Sequence, residues 1–218
     1  MKLFALLTSG ILAMASIPGK PAVPTRALTQ RETWWRDVKP LPEQVFRIDK
    51  LVTQYVANKK RYVEVQNAKS PGCPAPIVFV FHMRESDCDF TRHLHEGSSL
   101  KARTKYVPIG RPKTGNPPFT FLESATDALY VIKSYQTADK WANVDSMIDW
   151  IERYNGLGYR QYHPATPSPY VVGGSNLQRP GKYVADGRFD KTVTDRQLGC
   201  LVVLKAIEDR GEWNAPPY

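Results

Sequence analysis

The sequence predicts a helix-dominated α+β domain, because amphipathic helical segments outnumber a single short strand segment along the chain. Apolar residues recur at spacings of three and four over residues 45–56 and again over residues 141–151, which is typical of helices with one buried face. Residues 181–187 read Gly-Lys-Tyr-Val-Ala-Asp-Gly, a pattern typical of a strand and a turn. With 218 residues the chain is long enough for one domain with a sizeable core.

Proline and glycine divide the first half of the chain into its predicted elements. Pro42 suits the first turn of a helix that begins near Leu41, and a second helical piece is predicted over residues 59–68. The triplet Ser70-Pro71-Gly72 ends that piece. Residues 89–109 are predicted to form a loop or a small β-hairpin.

Capping signatures organise the second half. Residues 120–123, Thr-Phe-Leu-Glu, form a capping box that predicts a helix through Leu129, and this makes Glu123 a cap rather than a catalytic residue. The amphipathic segment that follows is predicted to end before Asn155-Gly156. A second box, Thr-Asp-Arg-Gln at residues 194–197, predicts a final helix through Ile207.

The most apolar stretch is residues 76–86, where Ile-Val-Phe-Val-Phe runs directly into His82, Arg84 and Glu85. Its composition has high strand propensity, whereas its proline start, length and lack of alternation favour a buried helix, so both interpretations stand at this point. In either one Glu85 lies at the edge of a core, where desolvation raises a carboxyl pKa and produces a candidate general acid. An ion pair with Arg84 or Arg92 is the structural alternative.

The chain carries a formal charge of +9 and a sequence pI near 9.5. Such an excess favours an anionic partner, namely nucleic acid, an acidic envelope polymer or a membrane surface, although a solvated basic surface is an equal alternative. No basic stripe with interleaved aromatic residues is present, which argues against nucleic acid. A hydrophobic content of 42% and a charged content of 23% exclude a disordered chain.

The first residues predict export. Lys2 precedes a short apolar run, and Ala13-Met14-Ala15 fits a small-x-small cleavage site, so residues 1–15 are predicted to be a signal peptide cleaved after Ala15. The protein is then periplasmic or extracellular; an uncleaved anchor or a buried N-terminal helix is the alternative. No later segment is predicted to span a membrane. Residues 16–40 are rich in proline, threonine, arginine and lysine and contain the pair Trp34-Trp35, so they are predicted to be a tether followed by an attachment turn. Residues 41–210 are predicted to be the domain and residues 211–218 a tail.

Three cysteines, Cys73, Cys88 and Cys200, leave one unpaired in a monomer. Cys88 is able to pair with either of the others, and three buried free thiols are the alternative. Cys88 beside a histidine would also be a candidate thiol nucleophile, but no local signature supports that arrangement.

Three histidines, His82, His93 and His95, lie near Asp87 and Asp89. Their spacing fits no standard zinc signature, so no metal and no cofactor is predicted. A hydrogen-bonded histidine lining a polar cleft is the favoured interpretation.

Residues 154–160, Tyr-Asn-Gly-Leu-Gly-Tyr-Arg, are a candidate binding element. The two glycines let the backbone approach a ligand closely, while tyrosine and asparagine side chains stack on sugars and hydrogen-bond to them. The alternative is a helix C-cap with a tyrosine anchor.

The order of these motifs resembles the phage and bacterial "lysozyme family" proteins, a branch of the lysozyme-like superfamily. The resemblance runs from residue 41 to residue 207 and depends on several short motifs taken together. They are His-x-x-Glu-Ser, Asp-Phe-Thr-Arg-His-Leu-His-x-Gly, Val-Pro-x-Gly-Arg-Pro, Tyr-Asn-Gly-x-Gly-Tyr-Arg and Gly-Lys-Tyr-Val-Ala-Asp-Gly.

The resemblance implies a lysozyme-like fold, in which a central buried helix ends at Glu85 and a small β-hairpin region at residues 89–97 flanks the cleft. It implies that the chain acts on peptidoglycan glycan strands and cleaves the bond between N-acetylmuramic acid and N-acetylglucosamine, with Glu85 as general acid. The expected substrate-binding residues are His95, Tyr154, Asn155 and Tyr159. A monomer is expected.

A second carboxylate is not singled out by the sequence. Asp87, Asp89, Glu96 and Asp186 are all available, and superfamily members that release an anhydro sugar use a single glutamate, so hydrolysis and anhydro formation both stay open. A catalytically inactive cell-wall-binding protein of the same fold is the alternative function.

Overall fold

The computed structural model describes residues 26–218 as a mainly helical α+β structure with a small antiparallel sheet, which confirms the predicted class. The predicted signal peptide and the first part of the predicted tether lie outside the described residues. The helices are α1 Gln30–Asp37, α2 Val45–Asn67, α3 Ala75–Ser86, α4 Phe121–Thr126, α5 Val144–Asn155, α6 Gly158–Tyr162, α7 Pro169–Val172 and α8 Cys200–Asp209, and the strands are β1 Lys182–Ala185 and β2 Arg188–Asp190.

Helix α3 lies at the centre of the core, packed against α2 and α8. Ten of its twelve residues are buried, so apolar contact is available on every side and no neighbouring strand is needed. A helix satisfies its own backbone hydrogen bonds, which a lone buried strand cannot do. The helical interpretation of this segment is therefore confirmed. The helix ends at Asp87, which adopts a left-handed conformation with φ of 52°.

Helix α2 is continuous where the sequence predicted two pieces. Its buried face carries Ile48, Val52, Tyr55, Tyr62 and Val65, at the predicted helical spacing. Asn58 lies at the expected break but donates from its side chain to the carbonyl of Gln54, four residues earlier, and the helix passes through it. The helix ends at Asn67, just before the predicted breaker.

The prediction of a tether over residues 16–40 is wrong for its described part. Thr29 and Glu32 form a capping box that begins α1, and Trp35 is only 2% exposed. Arg31 donates to Asp145 of α5 at 2.6 Å, so the helix is fixed to the domain by both apolar and ionic contacts. The predicted attachment is present, but it is a capped helix that carries the tryptophan pair and not a turn.

The C-terminal residues 211–218 likewise pack on the domain and are not a loose tail. The Trp213 ring meets the Trp35 ring edge-on at 6.3 Å, and Ala215 is buried. The backbone N–H of Val144 donates to the carbonyl of Pro217 at 2.8 Å. Both described ends of the chain therefore belong to the folded unit.

The β-hairpin expected at residues 89–97 is not formed. This part of the chain contains a single isolated bridge, between Arg92 and Ser99, and its loop is held from inside by His93. The two ring nitrogens of His93 pair with Ser124 Oγ at 2.9 Å and the Ala102 carbonyl at 2.8 Å. The sheet lies elsewhere: β1, predicted from the sequence, pairs with β2.

The two capping boxes have opposite outcomes. Thr120 and Glu123 cap α4 as predicted, and the helix continues into a π-helical segment, Asp127–Ile132. The box at residues 194–197 caps nothing, since α8 begins at Cys200 after Gly199. The Asp195 carboxylate instead pairs with Arg84 and Lys182.

All three cysteines are buried free thiols, so neither pairing is formed. Burial raises the pKa of Cys88 to about 12, which removes it as a thiolate nucleophile near neutral pH. Over residues 26–218, the helices include none with the length and apolar character needed to cross a membrane.

Candidate active site

Glu85 lies in the last turn of α3, where the buried helix meets a surface depression. The hydroxyl of Tyr170, in α7, donates to Glu85 Oε1 at 2.8 Å. Arg84 precedes Glu85 and places its guanidinium 4.7 Å from the centroid of the Tyr170 ring. The carboxyl group is thus held by a neutral donor and forms no ion pair with any residue of the described range 26–218.

The pKa of Glu85 is raised from 4.5 to about 7. Burial is the largest cause, and the negative charge of Glu96 acts in the same direction. The hydrogen bond from Tyr170 and the positive charges of Arg84 and Lys133 oppose the shift but do not cancel it. Near neutral pH a large fraction of Glu85 therefore still carries a proton that it is able to donate.

The Glu85 cavity has a volume of about 430 Å³, within the range of small-ligand sites. One wall comes from the loop around Pro108, another from the π-helical segment and the third from the end of α5. Its lining residues are Glu85, His95, Glu96, Val107, Pro108, Ala128, Ile132, Lys133, Tyr154 and Asn155. Three of the predicted binding residues, His95, Tyr154 and Asn155, therefore meet Glu85 here.

Tyr154 forms the floor of the cavity and is fixed by the core. Its ring stacks on Phe81 with centroids 4.1 Å apart, and its hydroxyl donates to the Leu94 carbonyl at 2.8 Å. Tyr154 is only 7% exposed, so it shapes the cavity and its hydroxyl is not available to a ligand. Asn155 follows as the last residue of α5 and is exposed, so its side-chain amide is open to the cavity.

His95 is buried and is held through both ring nitrogens. Nε2 pairs with Asp127 at 2.8 Å and Nδ1 with Ser124 at 3.4 Å. Asp127 also accepts from Arg111 Nε at 2.9 Å, and so it ties the π-helical segment to two loops around the cavity. Burial lowers the pKa of His95, which favours the neutral ring. The residue shapes the cavity wall and keeps no nitrogen free for a ligand.

Glu96 is the one of the four suggested second carboxylates that lines the Glu85 cavity. Its Oε1 accepts from the Ser98 hydroxyl, while Oε2 is buried and has no hydrogen-bond partner within residues 26–218. A carboxylate with one unpartnered oxygen is available to interact with a bound cationic or hydroxyl group.

The other three suggested carboxylates lie outside this cavity. Asp87 is the exposed residue that ends α3. Asp89 accepts from Thr91 and Arg92 and serves a surface turn. Asp186 lies in the turn after β1 and lines a separate depression. The sequence alone gave no means of separating these four residues.

Lys133 was not anticipated. It directly follows the π-helical segment, and its Nζ donates to the Tyr154 carbonyl at 2.8 Å while lying 5.1 Å from the centroid of the Tyr154 ring. Burial lowers the pKa of Lys133, and the nearby Glu85 opposes that shift. The wider turn of a π-helix changes which side chains face the cavity, and no sequence signal marked it.

A second depression, the Arg84 pocket, adjoins the Glu85 cavity and has a volume of about 290 Å³. Asn155 lines both, and Tyr170 lines the pocket while bonding to Glu85. Tyr159 lies here and not in the Glu85 cavity; its hydroxyl accepts from the Tyr183 N–H at 3.3 Å. The other lining residues are Arg84, Gly156, Gly158, Pro169, Lys182, Tyr183, Asp195 and Gln197.

Of the three histidines, only His95 lines the cleft. His82 is deep in the core and pairs with the Tyr62 hydroxyl at 3.1 Å, and His93 holds the loop described above. Across residues 26–218, no three or more histidine, cysteine, aspartate or glutamate side chains come together as a metal site.

Comparison of the chain with models of known protein families, with curated proteins and with solved structures finds no match in any of the three. The function is therefore inferred from the geometry and chemistry of the site.

Proposed function

We propose that this protein cleaves glycan strands of peptidoglycan at the bond between N-acetylmuramic acid and N-acetylglucosamine, with Glu85 as the general acid. The observation that carries the proposal is a glutamate whose pKa is raised to about 7 inside a cavity of ligand size. Glycoside cleavage needs a carboxylic acid that still holds its proton beside the leaving oxygen, and burial supplies one.

In the first step Glu85 transfers its proton to the glycosidic oxygen as the bond from that oxygen to the sugar ring breaks. The leaving group departs with a hydroxyl, and positive charge develops on the ring that remains. Glu85 is left as a carboxylate, and the Tyr170 hydroxyl donates to it at Oε1. This hydrogen bond stabilises the charged product of the transfer.

Glu96 supplies a negative charge to the same cavity, where it stabilises the positive charge on the ring. The second step is attack on that ring either by water or by a hydroxyl of the sugar itself, and the proton released from the attacking oxygen returns to the Glu85 carboxylate. The first gives a reducing end and the second an anhydro end, and the mass of the fragments distinguishes them.

The remaining walls suit a sugar. Val107 is 82% exposed and Ile132 is 39% exposed, so both offer apolar surface to the C–H faces of a ring. Asn155 offers an amide donor and acceptor for an N-acetyl group.

The proposal includes export to the periplasm or the outside of the cell by the N-terminal signal peptide, and action as a monomer. The charge of +9 attracts the protein to an anionic wall, and salt weakens that attraction. Nucleic acid is not proposed as a partner.

Digestion of purified peptidoglycan followed by mass analysis of the soluble fragments tests the proposal. We expect wild type to release muropeptides with one type of new end and Glu85→Gln to release none, since glutamine keeps the shape but has no proton to donate. Binding to peptidoglycan without any fragments from the wild type would instead support the alternative of an inactive wall-binding protein.

A further inference from the structure

The Arg84 pocket carries more positive than negative charge. Arg84 and Lys182 both bond to one carboxylate, Asp195, at 3.3 Å and 3.0 Å. The other titratable residues that line the pocket are tyrosines, so one of the two cations is uncompensated there. The excess charge favours an anionic ligand group.

One N–H group of the Arg84 guanidinium has no hydrogen-bond partner among the described residues. Its side chain is only 7% exposed, and it uses one terminal nitrogen on the Leu198 carbonyl and the other on Asp195. The Nε–H is buried and finds no acceptor in the part of the chain that the structure describes. A buried guanidinium with one unpaired N–H is incompletely compensated, which favours a negative charge close to it.

The hydroxyl groups of the pocket differ in what they leave to a ligand. Tyr170 donates its proton to Glu85, whereas Tyr159 accepts from the Tyr183 N–H, so its own O–H proton is still available to donate. The donors that a ligand meets therefore include the two cations, the Tyr159 hydroxyl and the amide of Asn155. This set suits a carboxylate better than the neutral hydroxyls of a sugar.

We propose that the Arg84 pocket binds a carboxylate carried by the muramic acid residue next to the cleaved bond. This inference rests on the proposed function. Asn155 and Tyr170 join the pocket to the Glu85 cavity, so a substituent of a sugar held at Glu85 reaches Arg84. A volume of about 290 Å³ is large enough for such a substituent.

Two parts of a muramic acid residue are able to supply the carboxylate, namely its lactyl group and the peptide attached to that group. Muramic acid carries a lactyl ether whose carboxyl group is either free or joined to a peptide that ends in its own carboxylates. N-Acetylglucosamine has no such group. The pocket therefore makes the protein select muramic-acid-containing strands over chitin-like chains of otherwise similar shape.

Titration calorimetry with full-length Glu85→Gln tests this, because that variant binds without cleaving. Three probes separate the sources: a chitin tetrasaccharide, a tetrasaccharide of alternating N-acetylglucosamine and N-acetylmuramic acid with free lactyl groups, and the same tetrasaccharide bearing dipeptides. We expect at least one acidic probe to bind about tenfold or more tighter than chitin, as charge-assisted hydrogen bonds require. The tighter of the two acidic probes identifies the source, and equal affinity for all three overturns the proposal.

Three further variants in the Glu85→Gln background test whether the effect comes from the pocket. Lys182→Gln should cut the preference for the acidic probe at least about threefold, and Lys59→Gln should leave it unchanged, because Lys59 pairs with Glu212 and does not line the pocket. Arg84→Gln should abolish the preference while circular dichroism verifies the fold. If Arg84→Gln does not fold, Lys182→Gln decides alone, and an unchanged preference there contradicts the proposal.

Failure of this inference is distinguishable from failure of the proposed function. If wild type cleaves muramic-acid strands while all three probes bind the Glu85→Gln variant equally, the carboxylate-binding role of the pocket is refuted and the enzymatic function is retained. If the protein binds acidic probes preferentially but cleaves nothing, the pocket is retained as a recognition site and the enzymatic function is refuted.

Discussion

Replacing Glu85 by Gln should stabilise the protein relative to wild type in a pH-dependent manner. The folded-state pKa of Glu85, about 7, lies above its ordinary value of 4.5. The folded protein therefore holds this proton more tightly than the unfolded chain, and wild type loses stability as pH rises from about 4.5 to about 7. The difference between the two pKa values corresponds to roughly 3 kcal/mol of unfolding free energy. Glutamine does not titrate, so the variant does not lose this stability as the pH rises.

Urea denaturation of both proteins at pH 4 and pH 8 measures this difference. The gap between the unfolding free energies of variant and wild type should widen by about 3 kcal/mol in favour of the variant at pH 8. Taking the difference between the two pH values removes the constant effect of the substitution on packing. Glu43→Gln, at an exposed glutamate, serves as the matched control for the change of charge. A gap that is the same at both pH values would refute a raised pKa at Glu85.

Four further predictions concern the neighbours of this residue. Tyr170→Phe removes a donor to the Glu85 carboxylate and should raise the pKa of Glu85, moving the alkaline limb of the activity profile upward by about one pH unit. Glu96→Gln removes a like charge and should move the same limb downward, as a pH–rate series will show. Asn155→Ala should weaken substrate binding about tenfold in KM, and unchanged cell-wall lysis would discard its role. Phe81→Ala removes a fully buried ring that stacks on Tyr154 and should cost about 3–5 kcal/mol of unfolding free energy, measured in urea.

Local sequence signals predicted the helices best where burial agreed with them. The periodicity of α2 and the capping box at Thr120 both match the structure, because the local pattern and the burial of those residues favour the same conformation. The similar box at residues 194–197 caps no helix, because the Gln197 N–H that Thr194 would cap donates to Asp195. The Asp195 carboxylate also binds Arg84 and Lys182. A long-range ion pair of this kind is invisible to a local pattern.

The central helix shows the limit of propensity. Its β-branched and aromatic residues favour a strand in isolation. Most of the segment is buried against α2 and α8, and there a helix is stabilised because it makes all of its backbone hydrogen bonds within itself. The choice of a helix came from the resemblance, and the structure agrees with that choice. The same resemblance placed a hairpin at residues 89–97, where the structure has a loop with one bridge.

The candidate site was predictable only in part. Glu85 and Asn155 were found because an apolar run and a glycine-rich helix end are local features. Glu96 was one of four candidate second carboxylates that the sequence could not rank. No binding or catalytic role was predicted for Lys133 or Arg84. Each of these residues acquires its neighbours from segments distant in the sequence. The pocket beside Glu85 is a product of tertiary packing and has no counterpart in a sequence motif.

The rate of glycan cleavage by wild type and Glu85→Gln across pH 5 to 9, on purified peptidoglycan, tests the central role of Glu85 most directly. Wild type should cleave at and below neutral pH and slow about tenfold for each pH unit above about 7, as the proton on Glu85 is lost. The glutamine variant should be inactive throughout. Cleavage by the variant at the wild-type rate would contradict the account.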